Sequence, residues 1–271
     1  MNSIQVTIVA NEAQQEILIS YLEEFDATGF EQKEHQLVAY FPANNFNSYD
    51  ITQVLECYEY TTSEIAEQNW NEVWERSFQP VKVENFCGIR ASFHPPMEGV
   101  QHEIVITPKM SFGTGHHATT FMMLQQMQRL NFLGKNVLDF GTGTGVLSIM
   151  AEKLGASAVC AIDIDEWSIT NAQENIAKNN CKRIELHLAS EVPKGSFGII
   201  LANINRNVIL ESLDQLVQSL DDHGMLLISG LLQSDTNDIL QATKERALQL
   251  VKQEELNQWA SFLFTKDVSF N

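Results

Sequence analysis

The sequence predicts an α/β protein in which a doubly wound domain over residues 79–271 follows a small α+β unit over 1–62, with a helix over 63–78 between them. Three observations carry this. From Asn136 onward, apolar runs of strand length alternate with stretches of helical spacing, the order that builds a mostly parallel sheet. The first of those strands runs into Asp139 and then glycines at 141, 143 and 145, the strand-turn-helix of a cofactor site. Residues 1 to about 60 have a different rhythm, with short strands and two helical patterns but no glycine turn.

In chain order, Ile4 to Val9 alternates as a strand, and Ile17, Leu18, Tyr21, Leu22 and Phe25 mark a helix. His35 to Phe41 is strand-like, Ile51, Val54 and Leu55 mark a second helix, and Tyr58 to Thr62 is a last short strand. The order βαββαβ makes a split-βαβ, ferredoxin-like sandwich, a common recognition module. It carries no catalytic constellation, and its His35 reads as an edge residue. Over 63–78 the chain is polar and acidic, with Trp70 and Trp74 on one helical face, as in a linker helix pinned by aromatics. Val81 to Phe93 and Glu103 to Thr107 flank a Pro/Gly turn and predict a hairpin annexed to the second domain.

Phe112-Gly113-Thr114-Gly115-His116-His117-Ala118-Thr119-Thr120 then leads into a helix reaching Leu130. Such a loop can fold over a ligand. An aromatic face at Phe112 favours a nearby positive charge, and Thr119 or Thr120 can donate hydrogen bonds to a cofactor. A metal is not expected: adjacent histidines at a helix start point apart, and no third ligand lies at a useful spacing.

The glycine spacing chooses among ligands. A dinucleotide fingerprint, G-x-G-x-x-G, places its third glycine at position 146, which is Val. Gly141, Gly143 and Gly145 therefore suit a ligand with a nucleoside but no phosphate, such as S-adenosylmethionine. Asp163, at the carboxyl end of the next strand, can accept both ribose hydroxyls. Further strands are expected at 183–188, 197–203 and 224–230, with helices between them and an antiparallel pair near 250–256 and 259–268. Asp139, the glycines, Asp163 and Asn203 then all fall at strand ends around one crevice, where Asn203 can accept a hydrogen bond from an incoming amine.

Composition limits the partners. With 35 acidic against 17 basic residues the formal charge is −18, which repels a nucleic-acid backbone and allows a basic polypeptide, so direct DNA binding is not expected. No apolar stretch approaches the ~20 residues of a membrane span, and no export signal is indicated. Four scattered cysteines read as reduced and structural, consistent with a cytoplasmic chain, expected to be a monomer.

With those residues in place, the chain resembles the bacterial methyltransferases that trimethylate large-subunit ribosomal protein eleven. Phe-Gly-Thr-Gly-His at 112–116 with Thr119-Thr120, Asp-Phe-Gly-x-Gly-x-Gly at 139–145, Ile-Asp-Ile-Asp at 162–165 and Ala-Asn-Ile at 202–204 keep that family's order and spacing. The resemblance covers most of the length, including the tryptophan-bearing linker. It implies a seven-stranded Rossmann-like methyltransferase domain, S-adenosylmethionine as donor, and cofactor contacts at Thr120, Gly141, Asp163 and Asn203, to which Phe112, Asp139 and Gly143 are added from their places in the motifs. It also implies that the first domain recognises the ribosomal protein and swings on the linker to present lysine and amino-terminal amines. After Asn203 the chain reads Ile204-Asn205-Arg206-Asn207-Val208, more polar than the usual continuation.

Methyl transfer needs the acceptor nitrogen, the methyl carbon and the sulfur in line, and little acid–base machinery. Asn203 is the candidate for orienting the acceptor, with His116 or His117 as a weaker one. Other readings are a related enzyme acting on another protein or on RNA, a nicotinamide oxidoreductase and a noncatalytic cofactor-binding module. A cofactor titration separates the oxidoreductase, and a transfer assay separates the binding module.

Overall fold

The computed structural model describes residues 3–23, 25–65, 78–109 and 115–266. The chain divides into two compact units, Met1–Val73 and Trp74–Asn271.

In the first unit the elements are β1 (Ser3–Val9), α1 (Glu12–Glu23), β2 (Gly29–Lys33), β3 (Gln36–Pro42), α2 (Ser48–Val54) and β4 (Tyr60–Ile65). The strands form one sheet in the order β2-β3-β1-β4, antiparallel at every pairing, so each βαβ passage skips one strand. Alternation puts Val6 and Ile8 of β1 inward, where they pack with Leu18 and Leu22 of α1 and with Ile51 and Leu55 from the second helix and its end. β2, Gly-Phe-Glu-Gln-Lys, lacks an apolar alternation because it is an edge strand whose last three residues face solvent. The helix expected from residue 63 is corrected at its start: Ser63 to Ile65 continue β4 and pair with Gln5 to Ser3. The rest of that segment, with Trp70 and Trp74, lies outside the described residues.

The second unit begins with β5 (Val81–Val83), β6 (Cys87–Ala91) and β7 (His102–Ile106). A hairpin between Val81–Phe93 and Glu103–Thr107 is not what forms. The first run folds on itself as the β5–β6 hairpin, and β6 and β7 pair in parallel. The stretch between β6 and β7 is too long for a tight reversal and carries the chain back to the same end of the sheet. There, Gln101 N and His102 N donate to Asn85 O and Phe86 O, and Arg90 binds Glu103 at 2.9 Å.

After α3 (Ala118–Met127) come β8 (Asn136–Phe140), α4 (Val146–Lys153), β9 (Ala158–Asp163), α5 (Glu166–Lys178), β10 (Ile184–Leu188), β11 (Phe197–Asn203), α6 (Arg206–Ser219), β12 (Leu220–Leu232), α7 (Thr236–Lys244), β13 (Leu248–Leu256) and β14 (Trp259–Lys266). These strands make a seven-stranded sheet in the order β10-β9-β8-β11-β12-β14-β13. Only β14 runs against its neighbours, inserted between β12 and β13. Asn257 and Gln258 both have positive φ, 51° and 69°, in the two-residue turn that matches the twist of the β13–β14 pair.

The central strands read as continuous apolar runs because both faces are covered. Val137, Leu201 and Leu227 pack with α4 and the three-stranded sheet; Leu138, Ile200 and Leu226 pack with Ile209 and Leu213 of α6. Strand order reverses between β8 and β11, and the crevice lies outside the carboxyl ends there. No helix among the described residues is long and apolar enough to cross a membrane.

Candidate active site

The turn after β8 is built from backbone. Gly141 N and Thr142 N both donate to Ile162 O at 2.9 Å, which ties the turn to β9. Gly141 has φ +79°, and a Cβ there would lie 2.2 Å from Ile204 Cγ2, so no larger residue fits. Gly230 is under the same restriction from the other side, where a Cβ would stand 2.3 Å from Ile204 O. Ile204 is thus wedged between two glycines, and the chain just after Asn203 is held from both sides.

Asp139 is fully buried beneath this turn. Its Oδ2 accepts from Thr142 Oγ1 at 2.7 Å, Ser148 Oγ at 2.6 Å and Ser148 N at 3.1 Å. Burial without a counter-charge outweighs these bonds and pushes its carboxyl above the ordinary range. The expectation that Asp139 touches the cofactor is corrected: it is the penultimate residue of β8 and does not line the cavity, so its role is to hold Thr142 and the start of α4.

Asp163 is the last residue of β9 and does face the crevice. Gly143 N donates to its Oδ2 at 2.8 Å and Asp165 N to its Oδ1 at 3.1 Å, which fixes the carboxylate while each oxygen keeps a lone pair for a ligand. Asp165 in turn caps α5 through Trp167 N and Ser168 N.

The cavity between these strand ends has a volume of about 570 Å³. Gly141, Gly143, Asp163, Thr120 and Asn203 all line it, so five of the seven expected cofactor residues meet in one place. Asn203 Nδ2 donates to Thr120 Oγ1 at 3.4 Å, while Asn203 Oδ1 is buried with no partner among the described residues, an acceptor open to a ligand. Phe112 lies outside the described residues.

The two histidines separate. His116 does not line the cavity; its ring meets Phe78 edge-on at 4.8 Å, and burial lowers its pKa. His117 caps α3, with Nδ1 accepting from Thr119 N, and its ring meets Trp259 at 4.6 Å and 70°; both residues line the cavity. The weaker catalytic candidacy therefore passes from His116 to its neighbour. Trp259 and Gly230 carry no local signal in the sequence, because each acts through a partner from a distant strand or helix.

The model of the family described as ribosomal protein L11 methyltransferase (PrmA) matches residues 3–267. The chain belongs to that family. A ribosomal protein L11 methyltransferase of Porphyromonas gingivalis is 38% identical over 93% of this chain and 91% of its own length. Its namesake in Phocaeicola vulgatus is 32% identical over 97% and 99% respectively. Among solved structures, a ribosomal protein L11 methylase from Lactobacillus delbrueckii subsp. bulgaricus matches with a TM-score of 0.65 and 29% identity, over 70% of this chain and all of that one.

Membership makes the chain a methyltransferase with S-adenosylmethionine as cofactor. The residues present fit that ligand. Asp163 presents a fixed carboxylate to the cavity, the Gly141 wall has no room for a Cβ, and Asn203 Oδ1 is a buried acceptor with no partner among the described residues.

Proposed function

We propose that the chain methylates lysine and amino-terminal amines of ribosomal protein L11, adding up to three methyl groups to one nitrogen. The observation that carries this is Asn203: it lines the cofactor cavity at the end of β11 with a buried amide oxygen that has no partner among the described residues. An uncharged acceptor suits an amine, which must be neutral to attack, better than a carboxylate that would hold it as ammonium. A lysine amine has a reference pKa near 10.4 and loses its proton more readily when desolvated.

When bound, S-adenosylmethionine supplies a methyl group on a cationic sulfur. Asp163 and the Gly141–Gly143 turn hold the nucleoside end, Thr120 fixes the Asn203 amide, and Asn203 Oδ1 takes an N–H of the acceptor and turns its lone pair inward. The alternating order of the first unit, with its all-antiparallel sheet, supports a ferredoxin-like module that recognises L11 and runs through β4 to Ile65, joined by the rest of the segment up to 78 to the catalytic domain over 79–271. The charge of −18 favours a basic protein substrate over RNA. The enzyme works as a cytoplasmic monomer.

The test is Asn203→Ala. Transfer to L11 falls about 100-fold or more while calorimetric affinity for S-adenosylmethionine falls several-fold at most. Transfer at the wild-type rate would remove Asn203 from this role.

A further inference from the structure

A hydrogen bond to Asn203 Oδ1 can hold an amine only while the nitrogen keeps a hydrogen. A neutral lysine amine has two, its monomethyl form one and its dimethyl form none. The first two transfers can thus be aligned by Asn203, and a third cannot.

We propose that His117 and Trp259 form the subsite that positions the acceptor nitrogen once its hydrogens are gone, which makes Trp259 the residue that permits the third methyl group. This rests on the reading of the chain as an amine methyltransferase adding several methyl groups. Both residues line the same cavity as Asn203, and their rings lie 4.6 Å apart at 70°. The antiparallel direction of β14 is what brings Trp259 there: as the first residue of that strand it stands at the carboxyl end of β11 and β12. Asn203 and Trp259 belong to strands two apart and stand level with Ser229 and Leu232 of β12, so the two residues are offset both across and along the sheet at the rim of one cavity. His117 and Thr120 lie about one helical turn apart, so the aromatic pair and the Asn203–Thr120 contact sit side by side.

The chemistry of the two walls is complementary. Each transfer forms an N–C bond and breaks a C–S bond of the donor, whose electron pair stays on sulfur. The nitrogen becomes an ammonium, and after each of the first two transfers it loses a proton to water. The third transfer leaves a permanent cation with no proton to lose. Replacing N–H by N–CH₃ weakens the hold of the amide and strengthens contact with aromatic faces, which bind methylated ammonium groups well. His117 Nδ1 is engaged in the helix cap with Thr119, which fixes the ring beside Trp259.

The test has two arms, each run on the full chain and on Trp259→Leu and Trp259→Phe. In the first, calorimetry compares Nα-acetyl-Nε-trimethyl-lysine amide with its uncharged tert-butyl isostere. The wild type prefers the cation by about 2- to 30-fold, Trp259→Phe keeps part of the preference and Trp259→Leu abolishes it. In the second, mass spectrometry follows L11 with time. Trp259→Leu slows the third addition about tenfold more than it slows the first two and accumulates dimethyl product, while Trp259→Phe recovers much of the third. Equal binding of cation and isostere by the wild type, or trimethylation by Trp259→Leu at the normal rate, overturns the proposal. A Trp259-dependent preference for the cation with no methyl added to L11 by the wild type sinks the L11 reading and leaves the subsite standing.

Discussion

Gly143 N donates to Asp163 Oδ2 at 2.8 Å, so the second glycine of the turn and the acid that ends the following strand are one construction. The bond spends one lone pair of Asp163 on orientation and leaves the carboxylate aimed at the cavity. Asp163→Ala therefore removes both the ligand acceptor and a support of the turn. We expect affinity for S-adenosylmethionine to fall about 10- to 100-fold by calorimetry, the range of one or two hydrogen bonds to a charged group. Unchanged affinity would refute the assignment.

Gly141 is constrained twice, by its φ of +79° and by Ile204 Cγ2, 2.2 Å from where a Cβ would stand. Gly141→Ala should cost about 2–4 kcal/mol in denaturant unfolding, part from the left-handed backbone and part from overlap. Ile204→Ala deletes the overlapping atom. In that background the same substitution should cost about 1–2 kcal/mol, and an undiminished cost would show that the contact is not the cause.

Asp139 gives a pH signature. Its carboxyl is raised by burial from the ordinary 3.8, so the folded chain holds this proton more tightly than the unfolded one. The contribution to stability is then most favourable below about pH 4 and declines as pH rises from there through the folded value. Stability curves of the wild type and Asp139→Asn should therefore diverge with rising pH above about 4, the wild type losing ground, since the amide has no such titration. Parallel curves would contradict this. Asp139→Ala leaves the Thr142 and Ser148 hydroxyls buried without their acceptor and should cost about 2–4 kcal/mol.

The cysteines should differ sharply in reactivity. Burial pushes the Cys87 thiol up to about 12 and the Cys181 thiol up to about 11, while Cys57 is exposed on the first unit. Iodoacetamide at pH 8 should label Cys57 first in the native chain and Cys87 only on unfolding, as read by peptide mass spectrometry. Labelling of Cys87 as fast as Cys57 would mean that the β6 core opens readily.

These cases also mark what can be read from sequence. The turn and Asp163 are legible because they belong to one βαβ unit, where spacing alone brings them together. Asp139 reads there like a second ligand acid, yet it stands one residue short of its strand end, and that single step puts its side chain behind the wall. His117 and Trp259 are 142 positions apart and meet only because β14 enters the sheet between β12 and β13, a choice made by packing on both faces and not by any local pattern. For the same reason the β6–β7 pairing is read as a hairpin from its turn residues, when bonds from Gln101 and His102 to the β5–β6 turn bring the chain round in parallel.

The most direct measurement is intact-mass spectrometry of purified L11 incubated with this chain and S-adenosylmethionine. The account predicts mass gain in steps of one methyl group, localised by fragmentation to lysine and amino-terminal nitrogens and reaching three on a single nitrogen. No mass gain on L11 under conditions in which the chain binds the cofactor would contradict it.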